Sequence, residues 1–239
     1  MFRNRYAAVL LALFIAVSAF APSAQAQTRR HHRESAINHQ QRVARNIQDT
    51  YSHKYELFGG GGYLRFAPGP VGPNYTVQNV TSVPSRINEV SWNVAGTYYL
   101  HPSFGIVADV RGHYGNARLF NNEYGVTNPL ITEYTFLGGP EYRFYRREKI
   151  AIGAQLLGGM TMGNFDGGSK AVPASLLGMW PTSNRLAAGA GLTMDYNIYP
   201  NLAVRVTPTY VFTSFTASGV NMQDSFGLNA GIVYRWGRQ

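Results

Sequence analysis

At 239 residues the chain is long enough for one large domain, and its sparse charge departs from a soluble balance: 14% charged against 45% hydrophobic and 13% aromatic, with 26 Gly and 16 Tyr. The formal charge of +9 is not a nucleic-acid footprint, because the excess lies near the N-terminus: residues 27–54 carry six Lys or Arg against two acids, residues 55–239 thirteen against ten. With no cysteine, disulfides, thiolate metal ligands and lipid attachment through cysteine are excluded.

Residues 1–26 open with Arg3 and Arg5, continue through an apolar run from Ala7 to Ala21 and end in Ala24-Gln25-Ala26. This is the pattern of a signal peptide cleaved before Gln27, and the apolar run is shorter than the roughly 20 residues a helix needs to cross a bilayer. Residues 27–53 follow as a polar, basic leader in which Ile37, Val43 and Ile47 give a weak helical stripe from about Ser35. His31-His32 lacks a spaced partner and reads as part of a solvated tail rather than a metal site. The alternative for this leader is a periplasmic arm touching anionic lipid or cell-wall material.

From Lys54 onward the pattern changes to alternation, repeated eight times. "KYELFGGGGYLRF" is the first segment, and "WNVAGTYYL" from Trp92 is the second. The third, "FGIVADVRGHYG", sets Phe104, Ile106, Ala108, Val110 and Tyr114 against Asp109, Arg111 and His113. "EYTFLGGPEYRFY" places Glu141 and Arg143 opposite a row of rings, "KIAIGAQLLGGMTMG" is apolar opposite Gln155 and Thr161, and "RLAAGAGLTMDYNIY" carries Asp195 and Asn197. "LAVRVTPTYVF" carries Arg205, and "SFGLNAGIVYRW" carries Arg235.

Three features separate a membrane barrel from a soluble sandwich. The segments are nine to fifteen residues long, against about 5–6 for an ordinary strand and 9–11 for a tilted transmembrane one. Rings stand near the ends of the apolar faces, as at Phe104 and Tyr114 or Tyr134 and Phe144. Connections alternate between short (His101-Pro102-Ser103, Arg146-Arg147-Glu148, Pro200-Asn201) and long (residues 67–87, 116–132, 164–184 and 213–224). The predicted fold is an all-β, eight-stranded antiparallel up-and-down transmembrane β-barrel over residues 54–239, with short periplasmic turns and four long extracellular loops.

On this scheme the polar face of each strand points into the lumen. With Glu56 inward and Leu57 and Tyr63 outward, the lumen holds four acids (Glu56, Asp109, Glu141, Asp195), four arginines (Arg111, Arg143, Arg205, Arg235) and His113. An eight-stranded barrel is narrow enough for side chains to fill, so these residues read as a packed charge network. Pro140 and Pro208 each delete a ladder hydrogen bond, and Gly138-Gly139 beside Pro140 suggests a bulge.

In the order and spacing of "YELFGGGGYLRF", "YYLHPSFGIVADVRGHYG", "FLGGPEYRFY" and "GIVYRW", the chain resembles the OmpA/OmpX-type outer-membrane β-barrel family over about residues 54–236. The resemblance implies residence in the outer membrane among its lipids and lipopolysaccharide. It also implies recognition of the last strand by the barrel-assembly machinery through a terminal aromatic. Here Trp236 is followed by Gly237-Arg238-Gln239, a departure from that pattern.

The functional expectation is a non-enzymatic surface protein, structural or contacting partners through its long loops, with no cofactor and no metal. A competing reading is a lipid-modifying enzyme on the same scaffold, a lipopolysaccharide deacylase or acyltransferase. Its nearest motifs are His101-Pro102-Ser103, on the periplasmic side, and His113 with Glu141, which lack a serine at an evident nucleophile position. A small-solute pore ranks below these. A lipocalin-type soluble barrel would keep its apolar face inside, against the aromatic strand ends.

Overall fold

The computed structural model describes residues 36–70, 80–82, 86–122, 124–217 and 222–238. The expected export signal over residues 1–26 and the His31-His32 pair lie outside the described residues. Residues 40–239 form one compact unit, and residues 36–39 before it are the first turn of helix α1 (Ala36–Tyr51).

Among the described residues ten strands follow: β1 (His53–Phe66), β2 (Val80–Ser82), β3 (Ile87–His101), β4 (Phe104–Asn116), β5 (Phe120–Asn122), β6 (Leu130–Arg146), β7 (Ile150–Gly167), β8 (Ser183–Tyr199), β9 (Leu202–Thr213) and β10 (Gln223–Arg238). Eight of them close in the order β1-β10-β9-β8-β7-β6-β4-β3, every pair antiparallel. The fold is thus the closed up-and-down barrel that the alternation predicts. Closure removes both sheet edges, which lipid requires, because an unpaired backbone N–H or C=O has no water there to satisfy it.

Register fixes the size of the barrel. Partners followed once round from Tyr55 pass through Tyr98, Ile106, Pro140, Leu156, Ala190, Tyr210 and Phe226 and return at Arg65, ten residues further along β1. Such a shear tilts the strands and leaves an interior that side chains can fill.

The two faces carry inverted chemistry. Outward residues include Leu57, Val94, Ile106, Phe136, Leu156, Leu192 and Ile232, all large, apolar and exposed, Leu57 at 47%. Inward residues include Glu56, Asp109, Arg111, Glu141, Asp195, Arg205 and Arg235, all buried. In water this arrangement would expose the whole apolar band, far beyond the few hundred Å2 that a soluble monomer tolerates. In lipid the same band is solvated, and rings border it at both ends. Tyr55, Tyr98 and Trp236 cluster at one end, where Tyr55 stacks 5.8 Å from Trp236. Tyr114 and Tyr134 meet edge-on at the other, their hydroxyls 2.8 Å apart.

Strands β3, β6, β7 and β10 run beyond their expected limits, chiefly into the long connections. The expected bulge at Gly138-Gly139 is absent: pairing of β6 with β7 resumes after Pro140 in unchanged register, Gly138 opposite Gly158 and Glu141 opposite Gln155. The barrel tolerates Pro140 and Pro208 as local gaps in the ladder, Pro140 toward β7 and Pro208 toward β8. Register shifts fall instead near strand ends, at Tyr99/His101, Leu130/Thr132, Arg143/Tyr145 and Asn197/Tyr199.

Candidate functional site: the filled lumen and its two ends

Above the strands, the described parts of the long connections fold back over the barrel mouth. Leu64, Phe66, Leu119, Val126, Ile131, Phe165, Leu177, Met179, Trp180 and Phe215 form a dry cluster there. Trp180 is its centre, 1% exposed, ring centroid 6.2 Å from that of Phe215, with Nε1 donating to the Ala67 carbonyl at 2.9 Å. The connection that bears it makes a short 3-10 turn (Ala174–Leu177), then reverses at Gly178, whose φ of 76° is the left-handed conformation glycine adopts without penalty. Lys170 ties this connection back to the one between β4 and β6 by donating to the Gly125 carbonyl at 2.9 Å, and pairing of β2 with β5 ties that one in turn to the connection between β1 and β3.

At the terminus end the leader is not a free tail over residues 40–51. Val43, Asn46, Ile47, Thr50 and Tyr51 recur at helical spacing on the less exposed face of α1, and Thr50 and Tyr51 are buried. Asn46 donates to Glu148 Oε1 at 2.7 Å. The Tyr51 hydroxyl donates to the Arg147 carbonyl at 2.7 Å and accepts from Asn197 Nδ2 at 3.0 Å. Burial pushes that hydroxyl above the usual tyrosine range.

Between the two ends lie the charges. Glu56 on β1 accepts from Arg143 on β6, from Arg205 at 2.7 Å on β9 and from Arg235 at 3.0 Å on β10. Asp195 on β8 accepts two bonds from Arg205, at 2.6 and 2.8 Å, and one from Arg235 at 2.6 Å. Arg235 also donates to Asn197 Oδ1 at 2.8 Å. Glu141, 0% exposed, joins through Tyr99, whose hydroxyl donates to its Oε1 at 2.7 Å. The Arg143 guanidinium lies 4.4 Å from the Tyr99 ring and 5.3 Å from the Tyr51 ring, where cation–π attraction adds to its ion pair. Three arginines and three carboxyl groups are thus bound into one unit.

The remaining sequence-predicted residues are elsewhere. Asp109 and Arg111, two apart on β4, pair bidentately at 2.6 and 3.0 Å, with Asn93 donating to Asp109 at 3.0 Å. On these strands Val107 and Leu137, members of a nonpolar lumen cluster, intervene between this pair and the larger network, so the lumen holds two charge groups rather than one. His113 lies higher still and is outside both, with a buried, unpartnered Nδ1.

Two acids escape the expected balance of four and four. Glu89 and Glu133 are buried lumen residues with unpartnered carboxylate oxygens: Glu89 lies on β3 ahead of the segment that begins at Trp92, and Glu133 heads the fourth segment. Parity carried the signal: Glu89 and Ser91 extend the inward row of Asn93, and Glu133 extends that of Thr135. Ser91, His113 and Glu133 occupy one cross-strand row over β3, β4 and β6, although the Ser91 hydroxyl donates to Asn229 Oδ1 at 2.8 Å rather than to the histidine. His101-Pro102-Ser103 is the β3–β4 turn at the terminus end, where the Ser103 N–H approaches His101 Nδ1 at 3.4 Å.

Fold, inverted surface and filled interior together define a small eight-stranded transmembrane β-barrel, the architecture that the OmpA/OmpX-type resemblance implies. The chain is similar to Ail, the attachment invasion locus protein of Yersinia pestis, in complex with the heparin analogue sucrose octasulfate (15% identity, 76% of this chain and 99% of that one, TM-score 0.44). It is similar to the outer membrane protein OprG of Pseudomonas aeruginosa (12%, 78% and 98%, 0.47) and to Neisserial surface protein A (13%, 76% and 96%, 0.44). No family model and no curated protein matches the sequence.

Proposed function

We propose that the protein is a non-enzymatic integral outer-membrane barrel, exported by the signal in residues 1–26 and oriented with both termini toward the periplasm. Its work is surface contact or support of the membrane through the long-connection end. One observation carries this reading: among the described residues the barrel is closed at both mouths and packed between them. The Trp180 cluster covers one end, Tyr51 and its partners cover the other, and Arg111, Arg235, Tyr99 and Glu141 are almost wholly shielded from solvent in the lumen. A barrel filled in this way serves as an anchor, and the variable connections become the part that meets partners.

The test is reconstitution. Folded protein is expected to migrate faster on gels before boiling than after, and to give no steady single-channel conductance in planar bilayers. Cysteines placed at Tyr124 or Leu176 should label from outside intact cells, and a cysteine at Arg147 should not. Stable conductance would overturn the closed anchor, and labelling at Arg147 alone would reverse the orientation.

A further inference from the structure

On the outer wall near the termini, β1, β3, β4 and β10 enclose a groove of about 440 Å3 walled by Tyr55, Leu57, Gly96, Tyr98, Ile106 and Trp236. Its floor is open because of one residue. A Cβ at Gly96 would meet nothing within 4 Å, so glycine leaves a trough between the side chains of its cross-strand neighbours Leu57 and Ala108. The trough ends at an aromatic wall in which Tyr55 lies 5.4 Å from Tyr98 and 5.8 Å from Trp236.

Two cations stand just beyond that wall. Lys54 belongs by alternation to the inward row, yet at the rim its Nζ turns over the outer Tyr98 ring, 5.4 Å from the centroid. Arg238 is exposed, two residues past Trp236, and is paired in register with His53, the neighbour of Lys54. An apolar trough, an amphipathic ring and cations at the adjoining ends of β1 and β10 match, group by group, an acyl chain, the glycerol–ester region and a phosphate.

We infer that this groove holds an anionic phospholipid of the inner leaflet, its acyl chain over Gly96 and its phosphate between Lys54 and Arg238. The inference rests on the membrane orientation proposed above. Charge complementarity selects the occupant: a zwitterionic lipid fills the trough equally well and gains less from two cations.

Trp236 reports on the site. The full-length protein is reconstituted in phosphatidylcholine vesicles containing a minor fraction of lipid brominated on its acyl chains, either phosphatidylglycerol or phosphatidylcholine. The fluorescence lost in a Trp236→Phe variant defines the Trp236 signal. Brominated phosphatidylglycerol is expected to quench that signal at a local enrichment roughly fivefold above brominated phosphatidylcholine, the factor one near-surface cation supplies. The preference should vanish in Lys54→Gln/Arg238→Gln, and Gly96→Leu should lower quenching by both lipids. Retained heat-dependent gel migration verifies that each variant folds. Equal quenching by the two lipids, or a preference that survives the charge variant, overturns the site while leaving the barrel in the membrane. Quenching by neither lipid overturns the membrane reading itself.

Discussion

Tyr51 and Asn197 join the leader helix to the barrel: the Asn197 amide donates to the Tyr51 hydroxyl at 3.0 Å while its carbonyl oxygen accepts from Arg235 at 2.8 Å. One side chain therefore links α1 to the charge network, and Tyr51 completes the terminus end of the lumen as part of the same hydrogen-bonded structure.

Tyr51→Phe should lower unfolding stability by about 1 kcal/mol, because the ring stays over Arg143 while one hydroxyl with two partners is lost. Tyr51→Ala should cost more and release the last turn of α1. Hydrogen exchange of residues 43–51 in vesicles distinguishes release of the helix from global loosening. The elevated folded-state pKa of Tyr51 fixes the sign of a pH effect: its contribution is complete below about pH 10 and falls as pH rises toward the folded value. That alkaline loss should be missing in Tyr51→Phe.

Arg205→Met and Arg235→Met should each destabilise the barrel by about 3–5 kcal/mol, since each strands Glu56 and Asp195 with fewer donors in a shielded lumen. Arg111→Met should be severe for the same reason, leaving Asp109 with Asn93 alone. Urea unfolding in lipid vesicles measures all three, and an Arg111→Met protein as stable as the parent would place water around Asp109.

Glu89→Gln and Glu133→Gln should change stability far less. Their carboxyl groups are buried with unpartnered oxygens, and a buried acid without a donor takes up a proton rather than stay charged, so the amide removes no ion pair. Glu56→Gln, by contrast, should destabilise. If all three substitutions shift the midpoint alike, the upper lumen is not the donor-poor environment that the structure shows.

Trp180→Ala should open the covered mouth. The substitution removes the stacking partner of Phe215 and the donor to Ala67, and emptying so large a buried site costs about 3–5 kcal/mol. The loss should concentrate in the connections rather than the strands, so limited proteolysis is expected to cut within residues 168–182 while the barrel core persists.

Much of the barrel was legible because the bilayer imposes a period of two on every strand. Phe104, Ile106 and Ala108 facing lipid while Asp109 and Arg111 face inward is a pattern that no other environment requires over so many segments. The inward position of Glu56 followed from charge balance, although four glycines hide the parity of β1. Strand limits were harder. Above the membrane the outward residues need not be apolar, so the alternation faded before the strands ended and Glu89 passed unnoticed. Tyr51 carried no signal at all: a tyrosine closing a weakly amphipathic helix acquires its role only when Asn197, Arg147 and Arg143, distant in sequence, converge on it. The dry cluster around Trp180 was hidden likewise, scattered over connections with no common period.

Glu56 sits on the first strand, and the arginines it satisfies come from β6, β9 and β10. The finished cylinder therefore carries across its β1–β10 seam one carboxylate that binds guanidinium groups from three other strands, so the join between first strand and last is electrostatic as well as a backbone ladder.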